Sequence, residues 1–216
     1  MFETIKTEQL TLENIIKIMG DKDNNICYLS NDDAKVLCEK YKDTVIIYDN
    51  FLGLKKEITS ENVTENLINK NLQISTMESC TSGLIASTIT DIEGASQILK
   101  GSAVTYSNEC KILEGVPEKT INNYGVYSKE TAIEMSIAAK NKYKSDISIG
   151  VTGSLGNVDK NNLDSKIGQI DYCINYDKCY TTRIIFLNTN YTRKNMKAIV
   201  VDIILKQLNN IIQTKE

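Results

Sequence analysis

The chain has no histidine anywhere in its 216 residues. That absence removes Ser-His-Asp and Cys-His catalysis, and it removes histidine as a general base or metal ligand. Acid–base chemistry then falls to Lys, Tyr, Asp, Glu or Cys. One set with that capacity runs through Gly94-Ala95-Ser96, Tyr106 and Lys111. If Ser107 caps a helix, Tyr106 precedes the cap and Lys111 lies four residues into it. Those positions meet at helix starts, as in a hydrophobic staple. A cation there is disfavoured by the helix macrodipole, and burial would disfavour it further. Both effects lower a lysine pKa, as a lysine base requires. A neutral Lys111 could take the proton of Ser96, with Tyr106 relaying a proton or orienting the amine. The commoner meaning of such spacing is a solvated Lys111 and a core Tyr106.

Three further segments have the composition of ligand sites. Glu78-Ser79-Cys80-Thr81-Ser82-Gly83 lies between an expected strand and an expected helix, where helix-start N–H groups form a natural anion site. The hydroxyls of Ser79, Thr81 and Ser82 suit either ligand contact or plain capping. Val151-Thr152-Gly153-Ser154-Leu155-Gly156 follows an apolar run, so Thr152 and Gly153 belong either to a ligand loop or to a turn without function. Arg193 opens the last expected helix, where a guanidinium could clamp a phosphate.

The elements that must position these residues begin near Ser60. The pattern predicts a helix through Val63, Leu67 and Ile68, a strand Leu72–Met77 and a helix Thr81–Ile92. A strand Ala103–Tyr106 and a helix Ser107–Glu114 follow, then a short helix opened by Pro117 and a helix Ser128–Tyr143 with Ala132, Met135 and Ala139 inward. Ile147–Val151 reads as a strand, Thr152–Lys166 as a long polar loop, and Gly168–Asn175 with Thr181–Leu187 as a hairpin whose first strand is half-exposed. The last helix, Thr192–Ile212, turns Met196, Ile199, Val200, Ile203, Ile204, Leu208, Ile211 and Ile212 to one side. Alternating helices and strands with one hairpin predict an α/β fold, with a mixed sheet covered on both faces. Residues 1–57 read as a small extension, with a helix Asp32–Lys42, a strand Thr44–Tyr48 and a turn Asp49–Gly53; residues 58–216 form the main domain.

Bulk properties narrow the partners. A net charge of -3 argues against a dedicated nucleic-acid binder. No run is apolar for long enough to cross a bilayer, since Ala198–Leu205 is short and broken by Asp202, and the first residues lack a secretory pattern. A cytoplasmic location is expected. The six cysteines form no CxxC pair, so no metal site is expected and they read as reduced, buried small hydrophobes.

Taken together, these segments resemble the C-terminal domain of the CinA family, the PncC-type nicotinamide-nucleotide amidohydrolases. The likeness is carried by Glu78-Ser79-Cys80-Thr81 with Gly83-Leu84-Ile85-Ala86, by Thr90-Asp91-Ile92 with Gly94-Ala95-Ser96, and by Gly101. It continues through Val104-Thr105-Tyr106-Ser107-Asn108-Glu109 with Lys111, Gly115-Val116, Tyr124-Gly125-Val126 with Ser128, and Val151-Thr152-Gly153. It spans roughly residues 60–210. The resemblance implies a three-layer α/β/α domain that hydrolyses the carboxamide of nicotinamide mononucleotide to nicotinate mononucleotide and ammonia. It implies Ser96 as nucleophile, Lys111 as base and Tyr106 as proton carrier, with Ser79, Thr152 and Arg193 at the substrate. It also implies self-association, a small-molecule nucleotide as partner and no cofactor. The chain departs from the family in its loop 154–168, which lacks the usual Pro-Gly-Gly and later Lys-Pro-Val-Gly-Thr. Ser82 stands where the family has glycine, and residues 1–57 are far shorter than the nucleotide-binding domain of full-length members. A nucleotide-binding module without turnover and an amidase of another small amide are the alternatives.

Overall fold

A computed structural model describes residues 26–28, 45–48, 51–54 and 60–214, except 157, 158, 160, 161, 163, 164, 178 and 188–191. The chain divides into two compact units, Met1–Glu57 and Ile58–Glu216. In the first, β1 (Ile26–Tyr28), β2 (Val45–Tyr48) and β3 (Phe51–Leu54) form an antiparallel sheet of order β1-β3-β2. The expected strand ending at Tyr48 is present, but Phe51–Gly53 pairs as strand rather than turn. The expected helix Asp32–Lys42 lies outside the described residues.

The second unit runs α1 (Ser60–Asn69), β4 (Ile74–Glu78), α2 (Leu84–Thr90), a 3₁₀ turn (Ala95–Gln97), β5 (Leu99–Val104), α3 (Asn108–Leu113), α4 (Glu118–Tyr124), α5 (Lys129–Tyr143), β6 (Ile147–Gly153), β7 (Gln169–Tyr176), β8 (Cys179–Phe186) and α6 (Arg193–Thr214). The sheet order is β5-β4-β6-β7-β8. β4 pairs in parallel with β5 and β6, while β6, β7 and β8 pair antiparallel. The crossovers β4-α2-β5 and β5-α3-α4-α5-β6 supply the helices that cover the sheet.

Strand parity shows how the layers divide. Met77 joins a buried cluster with Met135 and Ala139 of α5 and with Val116 and Val126. The next residue, Glu78, points to the other face and reaches α2. α2 and α6 pack there with α1, giving helix, sheet and helix in three layers. α6 buries Met196, Ile199, Val200, Ile204, Leu208 and Ile212, together with Val201 and Leu205, whereas Ile203 and Ile211 are half-buried. The apolar side is wider than the expected stripe because the helix touches both α1 and the sheet. Double coverage also corrects the reading of β7: Ile170–Asn175 is buried on both faces, not half-exposed.

The face under α5 is set by small residues. A Cβ added to Gly150 of β6 would lie 2.2 Å from the Ala132 carbonyl oxygen and 2.6 Å from the Ser136 nitrogen. The α5 backbone therefore rests directly on the strand. The Gly150→Ala variant is expected to lose about 1–3 kcal/mol of stability through forced displacement of the helix, read as a melting midpoint several degrees lower. Gly156→Ala, with open space around it, is expected to melt as the parent does.

Candidate active site

The site lies where β4 and β5 end. β4 stops at Glu78, whose fully buried carboxylate accepts hydrogen bonds from Thr76 Oγ1, Thr81 Oγ1, and the backbone nitrogens of Ile85 and Ala86 at 2.7–3.1 Å. Those two N–H groups belong to the first turn of α2, so Glu78 caps the helix from across the turn. The helix start expected to hold an anion is thus occupied by the protein's own carboxylate. Thr81, expected at the substrate, is buried and serves this carboxylate instead. Ser82 adopts a φ of 54° and Gly83 a φ of 87°. Ser82 is exposed, so it does not crowd the turn, although the left-handed region is one that glycine occupies without cost.

Ser79 follows Glu78 and extends the strand by one hydrogen bond, from its N–H to the Val151 carbonyl oxygen at 3.0 Å. This aims its hydroxyl away from α2, toward α3. There Ser107 caps the helix, accepting from the Cys110 nitrogen at 3.1 Å, and Lys111 turns inward until only 1% of it is exposed. Its Nζ donates to the Thr105 carbonyl oxygen at 2.9 Å and to Ser79 Oγ at 3.2 Å. Burial pulls its pKa down to about 8, against smaller raising influences of Cys80, Cys110, Asp159 and Glu109, in that order. α3 has only six residues, so burial, more than the helix dipole, lowers this pKa.

A cavity of about 450 Å³ opens over this pair, lined among others by Ser79, Cys80, Tyr106, Lys111, Tyr127, Gly153, Asp159, Asn162 and Arg193. Its size falls in the range of small-molecule sites. Cys80 is buried, and burial raises its thiol pKa to about 12, so it lines the cavity as a neutral group and not as a nucleophile. Tyr106 is well exposed and accepts from Arg193 Nη2 at 2.6 Å. Arg193 opens α6, whose first turn is tied by Thr192 Oγ1 accepting from the Asn195 nitrogen. Among the described residues, no group of three His, Cys, Asp or Glu side chains is placed to hold a metal ion, and no helix is long and apolar enough to cross a membrane.

The structure thus brings Ser79, Tyr106, Lys111, Gly153 and Arg193 to one cavity, and it leaves three expected residues out: Thr81, Ser96 and Thr152. Ser96 sits exposed on the 3₁₀ turn and does not line the cavity. The pairing of Ser96 with Lys111 is therefore corrected to Ser79 with Lys111. Closeness in sequence favoured Ser96, whereas the parallel pairing of β4 with β5 delivers Ser79. Thr152 lies inside β6, fully buried, and donates to the Val126 carbonyl oxygen at 2.9 Å; it holds the Val126–Tyr127 segment beneath the cavity. Sequence reasoning missed Tyr127, Asp159 and Asn162. Tyr127 directly follows the Tyr124-Gly125-Val126 segment, which was a usable signal, but nothing local distinguishes Asp159 from the other polar residues of its loop.

The comparisons with known proteins agree with this architecture. A family model described as the CinA C-terminal domain matches residues 56–212. A CinA-like protein of Flavobacterium psychrophilum is 38% identical over 128 residues, covering 58% of this chain and 30% of that protein. A CinA-like protein of Prochlorococcus marinus is 34% identical over 166 residues, covering 76% and 38% respectively. The chain thus spans well under half the length of the curated relatives it matches. The solved CinA superfamily protein from Enterobacter cloacae superposes with a TM-score of 0.67 at 21% identity, over 73% of this chain and 95% of that one. The competence/damage inducible protein CihA from Agrobacterium tumefaciens does so with a TM-score of 0.63 at 25% identity, over 69% and 90%. With a family model spanning most of its length, the chain belongs to the CinA C-terminal domain family.

Proposed function

We propose that this domain hydrolyses the carboxamide of nicotinamide mononucleotide, with Ser79 as nucleophile and Lys111 as its base. The observation that carries the proposal is the buried Lys111 amine, 3.2 Å from the Ser79 hydroxyl, in a cavity of nucleotide-compatible size. An uncharged amine can give one N–H to the Thr105 carbonyl and turn its lone pair to the serine proton. Ser79 Oγ then bonds to the amide carbon as its proton passes to Lys111. The tetrahedral adduct expels the amide nitrogen, which takes that proton back and departs as ammonia. Water attacks the resulting ester with Lys111 again accepting the proton, and nicotinate mononucleotide leaves as Ser79 regains its hydrogen. Arg193, steadied by Tyr106 at the cavity rim, supplies the cation for the phosphate, with the start of the long helix α6 behind it. Tyr106 acts here through Arg193, not as a second base.

Ammonia release from nicotinamide mononucleotide and from a panel of simple amides tests the reading. Ser79→Ala is expected to lose at least about a thousandfold in turnover with an unchanged melting midpoint, while exposed Ser96→Ala stays within about twofold of the parent. Turnover surviving in Ser79→Ala would overturn the assignment. Nucleotide binding with no ammonia released would instead identify a binding module, and release from other amides alone an amidase of different substrate.

The pH dependence carries its own sign. The base works when neutral, and a pKa of about 8 leaves roughly a tenth of Lys111 uncharged at pH 7. The value of kcat/KM is expected to rise with pH, with a slope near one below pH 8, and to level off above it. Lys111→Arg, whose cation does not deprotonate in this range, is expected to be inactive throughout. A profile flat from pH 6 to 9 in the parent enzyme would remove Lys111 from the role of base.

A further inference from the structure

The cavity contains a carboxylate that the chemistry above does not use. Asp159 Oδ2 accepts from Tyr127 Oη at 2.6 Å and from Asn162 Nδ2 at 2.7 Å. Asn162 Oδ1 in turn accepts from Asn108 Nδ2 at 3.1 Å, and Asn108 opens α3, the helix that carries Lys111. The Asp159 nitrogen donates to Ser165 Oγ at 3.0 Å. Burial and Asp159 together hold the Tyr127 phenol above its ordinary range, so it stays a donor. The carboxylate is thereby tied to the elements on two sides of the nucleophile, in the loop where this chain lacks the glycine-rich family pattern.

A carboxylate lining the same cavity as a serine nucleophile does nothing for amide attack. It opposes the negative charge that develops on the amide oxygen, and it pulls Lys111 toward the protonated, inactive form. A group that hinders the reaction in the empty cavity has a use if the substrate brings a compensating positive charge. We propose that Asp159 is a specificity residue that selects substrates whose amide-bearing ring is cationic. This rests on the proposed amidase reading, and it adds which end of the substrate is recognised by which charge: a phosphate by Arg193 and a cationic ring by Asp159. A bound cation offsets the pull of Asp159 on Lys111, so the substrate itself restores the neutral amine.

The test uses the full chain carrying Ser79→Ala, so that bound nucleotide is not consumed. Titration calorimetry compares nicotinamide mononucleotide with its reduced form, which keeps the phosphate and the carboxamide but has an uncharged ring. The Ser79→Ala chain is expected to prefer the cationic form by about tenfold, the scale of one charge-assisted contact. Adding Asp159→Asn, which keeps the size and an acceptor oxygen, should weaken the cationic form by about tenfold and leave the reduced form within twofold. Adding Arg193→Gln should weaken both forms alike. Equal weakening of both forms by Asp159→Asn, or weakening of neither, would overturn the inference while leaving the amidase reading intact. Absence of binding by either form to the Ser79→Ala chain, with no ammonia released by the parent, would overturn the amidase reading and the inference with it.

Discussion

Burial of the Glu78 carboxylate is the constraint on which the site depends. An unpaired carboxylate in a dry interior costs far more than the domain could absorb. This one is matched by two threonine hydroxyls and the first two usable N–H groups of α2. Meeting those donors fixes the end of β4, the tight turn through Ser82 and Gly83, and the start of α2 at once. Ser79 is the residue between the carboxylate and the turn, and its direction follows from both.

The same economy holds on the facing element. Lys111 reaches the interior from a helix of six residues because Ser107 caps that helix and the chain enters it directly from β5. Once inside, the amine has the Thr105 carbonyl and the Ser79 hydroxyl as partners, too few to hold a permanent cation comfortably. The lowered pKa is the result of its burial. A polar interior group incompletely satisfied is costly to stability and useful to chemistry, and the proposed reaction draws on that property.

Around this rigid pair the cavity is built from loops and element ends, each tied back to the frame by one or two polar contacts: Thr152 to Val126, Tyr106 to Arg193, and Asp159 to Tyr127. The Ser79–Lys111 geometry therefore belongs to the strands and α3, while the rest of the cavity lining belongs to loops and element ends, the segments that vary most easily. The 154–168 loop brings Asp159 and Asn162 to the cavity that holds the Ser79–Lys111 pair.

Much of the frame was legible in the sequence, because a buried helix face and a strand each leave a local periodicity. Ala132, Met135 and Ala139 announced α5, the apolar spacing announced α6, and Ser107 announced its own cap. The missing histidine left acid–base chemistry to Lys, Tyr, Asp, Glu or Cys, and short-range helix geometry placed Tyr106 and Lys111 at one helix start. Strand limits were less legible: Lys100-Gly101-Ser102 concealed the beginning of β5, and cover on both faces erased alternation from β7. What only the tertiary structure decided was which hydroxyl the lysine meets. Ser96 is nearer in the chain, but Ser79 is nearer in space because β4 and β5 run in parallel and end side by side. Asp159 reached the cavity by the same kind of long-range accident, through a partner thirty-two residues away. Periodicity records the contacts a residue makes within its own element; pairings between elements leave no such trace, and the chemistry of this site depends on them.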